Sequence, residues 1–107
     1  MNYLEKLFSL NEIIESGEEK GIQFAIRENS ICTCSYVALP KGHKYFNIDY
    51  GDIPLLCHGG LTFGYRSEEY HVIGWDYGHF DDFNRKVGLT ELIGDIYEVI
   101  DQLTSVD

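Results

Sequence analysis

Three of the four histidines sit in short segments that also carry glycines, carboxylates and aromatic rings: Pro40-Lys41-Gly42-His43, His58-Gly59-Gly60-Leu61-Thr62-Phe63 and Gly74-Trp75-Asp76-Tyr77-Gly78-His79-Phe80-Asp81-Asp82. Histidine titrates near neutral pH and serves as donor, base or metal ligand, and glycine lets backbone come close to a ligand. In His58-Gly59-Gly60, two successive glycine amides can line a concave anion site with His58 beside it as donor or base. The same residues also suit a bulge or turn with a hydrogen-bonded histidine. Asp76 and His79, three apart and followed by Asp81 and Asp82, can supply an acid–base pair or a metal site of His79, Asp76 and Asp82; a solvated acidic loop has the same composition.

Other side chains extend these possibilities. Lys41, Lys44 and Arg66 lie within or beside the motifs, where one or two cations can help hold a phosphate. Trp75, Tyr77, Phe80 and Phe63 offer rings on which a planar base can stack, with core packing the simpler role for Phe63. His71, between Tyr70 and Val72, reads as an ordinary strand residue. Cys32 and Cys34 project to the same face of a strand rather than form an ordinary disulfide. Together with Cys57 and His58 they make a zinc site only if two strands bring them together; otherwise they are small buried hydrophobes. Neither a nucleophile elbow nor a phosphate-binding P-loop is present, and nothing calls for a bound cofactor.

The formal charge of -10 over 107 residues opposes binding to DNA, RNA or anionic membrane, which attract clustered Lys and Arg. The first residues lack the apolar run of a signal peptide, and no segment has the length of a membrane span. Three cysteines, an odd number, suit a reducing compartment, so the expected location is the cytoplasm. With 8 Tyr, 6 Phe and 1 Trp in so short a chain, the rings exceed what one small core holds. The surplus points to a ligand site or a contact between identical subunits, hence an expected homo-oligomer.

The elements that must position these groups follow from periodicity. Leu4, Leu7, Phe8, Ile13 and Ile14 recur at helical spacing, with a possible capping box at Ser9 and Glu12 and a stop at Gly17. This predicts one bent helix or two short ones over Tyr3–Ser16. From Ile22 the period becomes two, a turn falls at Glu28-Asn29-Ser30, and Ile31–Leu39 completes an antiparallel hairpin. Gly42–Asp52 reads as irregular, Ile53–Tyr65 as a strand interrupted at Gly59-Gly60, and Tyr70–Trp75 as the last strand. After a loop over Asp76–Gly88, Thr90 caps a helix with Leu92, Ile93, Ile96, Tyr97, Ile100 and Leu103 on its apolar face and Glu91, Asp95, Glu98 and Asp101 on its acidic face. The chain is expected to be one α+β domain: a mostly antiparallel sheet of four or five strands with an N-terminal and a C-terminal helix, the helices on one face.

The segment from about Tyr36 to Asp82 resembles a family of small proteins common in bacteriophage and prophage genomes. The resemblance rests on Tyr36-Val37, the Pro40–His43 motif, Asp49-Tyr50, Asp52-Ile53, the His58–Phe63 motif, and Gly74, Asp76, His79 and Asp82. The chain departs from the pattern at Lys44, where proline often follows the histidine, and at Trp75, where phenylalanine usually precedes the aspartate. The resemblance implies no activity, but its setting suggests an inhibitor of host defence. On that analogy the leading expectation is a homo-oligomeric sponge for a cyclic or ADP-ribose-type nucleotide. Lys41 or Arg66 with the Gly59 and Gly60 amides would take phosphate, Trp75 the base, and His58, Asp76 and His79 hydroxyls or the base edge, with His43 and Thr62 also among the ligand-binding residues. Two alternatives stay open: a hydrolase with His58 and His79 as base and acid and Asp76 orienting one of them, and an acidic inhibitor that offers the C-terminal helix to a protein.

Overall fold

A computed structural model describes residues 2–29, 32–78 and 87–105. Five antiparallel strands form one sheet: β1 (Ile13–Glu19), β2 (Ile22–Glu28), β3 (Thr33–Pro40), β4 (Phe63–Arg66) and β5 (Tyr70–Asp76), in the spatial order β1-β2-β3-β5-β4. Two helices complete the α+β fold, α1 (Tyr3–Leu7) and α2 (Leu89–Thr104).

The sheet carries apolar side chains on both faces. Ile22, Phe24 and Ile26 of β2, Val37 and Leu39 of β3, and Ile73 and Trp75 of β5 pack against Leu92, Ile96, Val99, Ile100 and Leu103 of α2. The alternate residues, Ala25, Tyr36, Ala38 and Val72, enclose Leu4 of α1 on the other face. The two helices therefore lie on opposite faces, which corrects the expectation that they share one. Side chains two apart along a strand share a face, so a strand apolar at consecutive positions must be covered on both sides.

The N-terminal segment also departs from its helical periodicity. Only one turn and a half of helix forms, closed by a capping box in which Asn2 accepts from the Glu5 amide and Glu5 accepts from the Asn2 amide. Ser9 makes no side-chain cap, and residues 10–12 form a single 3₁₀ turn. The chain then enters β1, because Lys20 (φ 52°) and Gly21 (φ 81°) form a two-residue hairpin turn that delivers it antiparallel to β2. Gly17 is a mid-strand residue, not a stop: a β-carbon there would lie 2.9 Å from Cζ of Phe24, whose ring covers the site. Farther on, only residues 63–65 of the expected Ile53–Tyr65 strand are extended and paired, as part of β4, while α2 starts one residue before Thr90 with Gly88 as its N-cap.

Candidate functional site

Residues 41–62 form a long connection laid along α2, fixed there by side chains bonded to backbone. The Tyr45 amide donates to His43 Nδ1 (3.0 Å), so that nitrogen is an acceptor and the ring proton sits on Nε2. Nε2 donates to the carbonyl of Leu103 (2.9 Å), one of the last carbonyls of α2 that no helical amide can reach. From the sheet, His71 Nδ1 donates to the carbonyl of Tyr45 (3.3 Å). His71 is buried, and its pKa is lowered from 6.5, above all by loss of solvent. Farther along, Gln102 grips Leu56 twice: its Oε1 accepts from the Leu56 amide (2.9 Å) and its Nε2 donates to the Leu56 carbonyl (2.7 Å). Leu56 itself is 83% exposed. A large apolar side chain is thus held out to solvent on a backbone clamped at both polar atoms.

Beyond Leu56 the chain turns. Gly59 (φ 69°) and Gly60 (φ 80°) both lie in the left-handed region, and the Gly60 amide donates to the Cys57 carbonyl (3.1 Å) across the turn. That bond occupies one of the two amides expected to face an anion. The turn carries His58 onto Tyr77, with ring centroids 4.4 Å apart and planes 21° from parallel. Between this stack and α2 lies an open groove of about 300 Å³, lined by Leu56, Cys57, His58, Glu91, Asp95, Glu98 and Val99.

The floor of the groove is tied to the core by a chain of polar groups. Trp75 Nε1 donates to the Tyr77 hydroxyl (3.2 Å), which donates to Asp95 Oδ2 (2.5 Å). Trp75 is 1% exposed and Tyr77 6%. Burial, and then the bond to Asp95, raises the Tyr77 phenol above its ordinary value, so it stays a donor. Burial also pushes the Cys57 thiol up to about 11, with the Asp95 charge adding to the effect, so Cys57 is a protonated, apolar part of the wall.

The other residues singled out by the sequence are distributed elsewhere. Trp75 is enclosed by the core and presents no ring face to a ligand. Asp76 follows Trp75 on β5 and so projects to the opposite face of the sheet from His58. There its Oδ2 accepts from the Thr62 hydroxyl (2.9 Å) and its Oδ1 from the Gly78 amide (3.0 Å). Arg66, on edge strand β4, pairs with Asp49 at 3.3 Å and is in register with His71. His71 precedes Tyr77 by six residues, about 20 Å of strand. Lys41 follows β3 at that same far end, its amide donating to Glu69. Leu103, which His43 contacts, lies eight residues from Asp95 along α2, about 12 Å. His79 and Asp82, and with them Phe80 and Asp81, lie outside the described residues.

Among the described residues no group of three or more His, Cys, Asp or Glu is placed to hold a metal ion. The cysteines divide between the faces: Cys57 packs against the α2 core and Cys34 against the α1 core. No described helix is long and apolar enough to cross a membrane. The groove rests on two signals the sequence did not disclose, the glutamine clamp on Leu56 and the Tyr77–Asp95 bond. The acidic stripe of α2 was visible, but not the loop that turns it into one wall of a cleft. Comparison with protein-family models, with curated proteins and with solved structures finds no match to this chain.

Proposed function

We propose that the chain is an acidic interaction protein whose groove between His58 and α2 takes a basic segment of a protein partner. The reading is carried by Leu56: exposed, clamped by Gln102, and adjacent to Glu91, Asp95 and Glu98. A rigid apolar anchor costs little ordering entropy on binding, and a ring of carboxylates selects lysine or arginine around it. The net charge of -10 steers such a partner toward the protein and accelerates encounter. The His58 ring, stacked on the buried Tyr77, adds a flat surface over which an arginine side chain can lie. The resemblance to phage and prophage proteins suits an inhibitor of a basic host protein.

The nucleotide-sequestering expectation fits this groove poorly, because Glu91, Asp95 and Glu98 repel phosphate and the arginine and lysine assigned to it stand at the far end of the sheet. The two readings separate in one NMR titration of ¹⁵N-labelled protein. A peptide alternating arginine and leucine is expected to shift the amides of Leu56, His58, Asp95 and Glu98. ADP-ribose is expected to leave them unmoved. Shifts produced by ADP-ribose, with the peptide silent, would restore nucleotide binding as the better reading.

A further inference from the structure

On the face of the sheet away from the groove, Cys32 Sγ lies 3.5 Å from Cys34 Sγ, and both thiols are free. Residues two apart in a regular strand stand about 6.6 Å apart and do not bring their sulfurs together. Here Cys32 sits just before β3, outside the ladder. Its amide donates to Asn29 Oδ1 (3.0 Å) and its carbonyl accepts from the Asn29 amide (3.1 Å), which turns it inward at the hairpin end. The two cysteines share one face, as expected, and this turn accounts for how close their sulfurs come. Gly78 keeps the space beside them open, since a β-carbon there would fall 3.0 Å from Cys32 Cβ.

We infer that Cys32 and Cys34 form a redox-active dithiol that low-molecular-weight disulfides convert to an intramolecular disulfide. The two thiols differ in character. Cys34 packs against the α1 core, and burial, followed by its bond to Cys32, pushes it up to about 12, so it keeps its proton. Cys32 is therefore the attacking sulfur. Its thiolate attacks one sulfur of glutathione disulfide, giving a mixed disulfide and releasing one glutathione thiolate. Cys34 then loses its proton, attacks Cys32 Sγ and expels the second glutathione thiolate. The protein loses two electrons and two protons, and one glutathione disulfide becomes two thiols. Closure shortens the sulfur separation from 3.5 Å to about 2 Å, which needs only a small movement of the hairpin end.

Trypsin makes the test specific, because the peptide Glu28–Lys41 contains Cys32 and Cys34, while Cys57 falls in another. After incubation of the full chain with glutathione disulfide and quenching with N-ethylmaleimide, that peptide is expected to be two hydrogens lighter and unalkylated. Dithiothreitol should restore two alkylation sites. In Cys34→Ser the mixed disulfide at Cys32 has no resolving thiol and should accumulate at least about tenfold over wild type. Two maleimides on the oxidised wild-type peptide, a link to Cys57, or equal mixed disulfide in wild type and Cys34→Ser would overturn the inference.

Discussion

Replacing Tyr77 by phenylalanine removes one oxygen and breaks two bonds at once. The ring stays, so the stack with His58 survives, but the indole N–H of Trp75 loses its acceptor in a site 1% exposed. A buried donor left without a partner costs roughly 1–3 kcal/mol. Asp95 loses its phenolic donor as well, and since it is only partly buried, water replaces much of that bond. The sum is about 2–3 kcal/mol, which for a chain of this size lowers Tm by about 10 °C. Urea unfolding followed by Trp75 fluorescence measures the loss directly. Tyr36→Phe is the matched control: its ring is equally buried, but its hydroxyl meets weak partners, the Arg27 guanidinium at a long 3.5 Å and the Cys34 thiol, so it should lose under about 1 kcal/mol. If Tyr77→Phe unfolds within about 0.5 kcal/mol of wild type, the Trp75–Tyr77–Asp95 chain does not hold the groove floor, and the reasoning from buried partners fails.

Other perturbations follow from the same structure. Gly74→Ala places a β-carbon 2.6 Å from Cδ1 of Tyr36 and 2.8 Å from the Ser35 carbonyl. Because the second neighbour is backbone, unfolding should show a loss at or above about 3 kcal/mol. His71 is held neutral below its ordinary value of 6.5 chiefly by burial, so the unfolded chain takes up the proton first as pH falls. Stability should then decline as pH drops through 6.5 toward the folded value, with a slope from this group approaching about 1.4 kcal/mol per unit. His71→Asn, whose amide nitrogen can take the place of Nδ1 toward Tyr45, should flatten that slope in melts between pH 7 and 5; an unchanged slope would assign it elsewhere. Gln102→Ala removes both bonds to Leu56 and should speed hydrogen exchange of the Leu56 amide while leaving the amides of β3 at their wild-type rates.

Much of the fold was legible in the chain itself. β2, the β2–β3 hairpin, β5 and α2 carry clear periods, and Glu91, Asp95, Glu98 and Asp101 announce an acidic stripe. The run Tyr36-Val37-Ala38-Leu39 already holds the signal for two covered faces, because consecutive apolar positions cannot share one side. β1 was hidden because Leu4, Leu7, Phe8, Ile13 and Ile14 match helical spacing, whereas the turn at Lys20-Gly21 and the ring of Phe24 over Gly17 decide for a strand. The histidines drew attention by type, yet His43 and His71 act on backbone: one meets a stranded carbonyl of α2 and the other a loop carbonyl of Tyr45. Pairings such as Leu56 with Gln102, forty-six positions apart, leave no local trace in composition or period.

The most direct test of the groove as a site for basic protein segments is calorimetric titration of wild type, Leu56→Ser and Glu98→Lys with the arginine–leucine peptide at low and high salt. Leu56 and Glu98 are exposed, so both variants keep the fold. Wild type should bind with affinity that falls as salt rises, and each variant should bind at least about tenfold more weakly. Equal affinity across the three proteins would contradict the account.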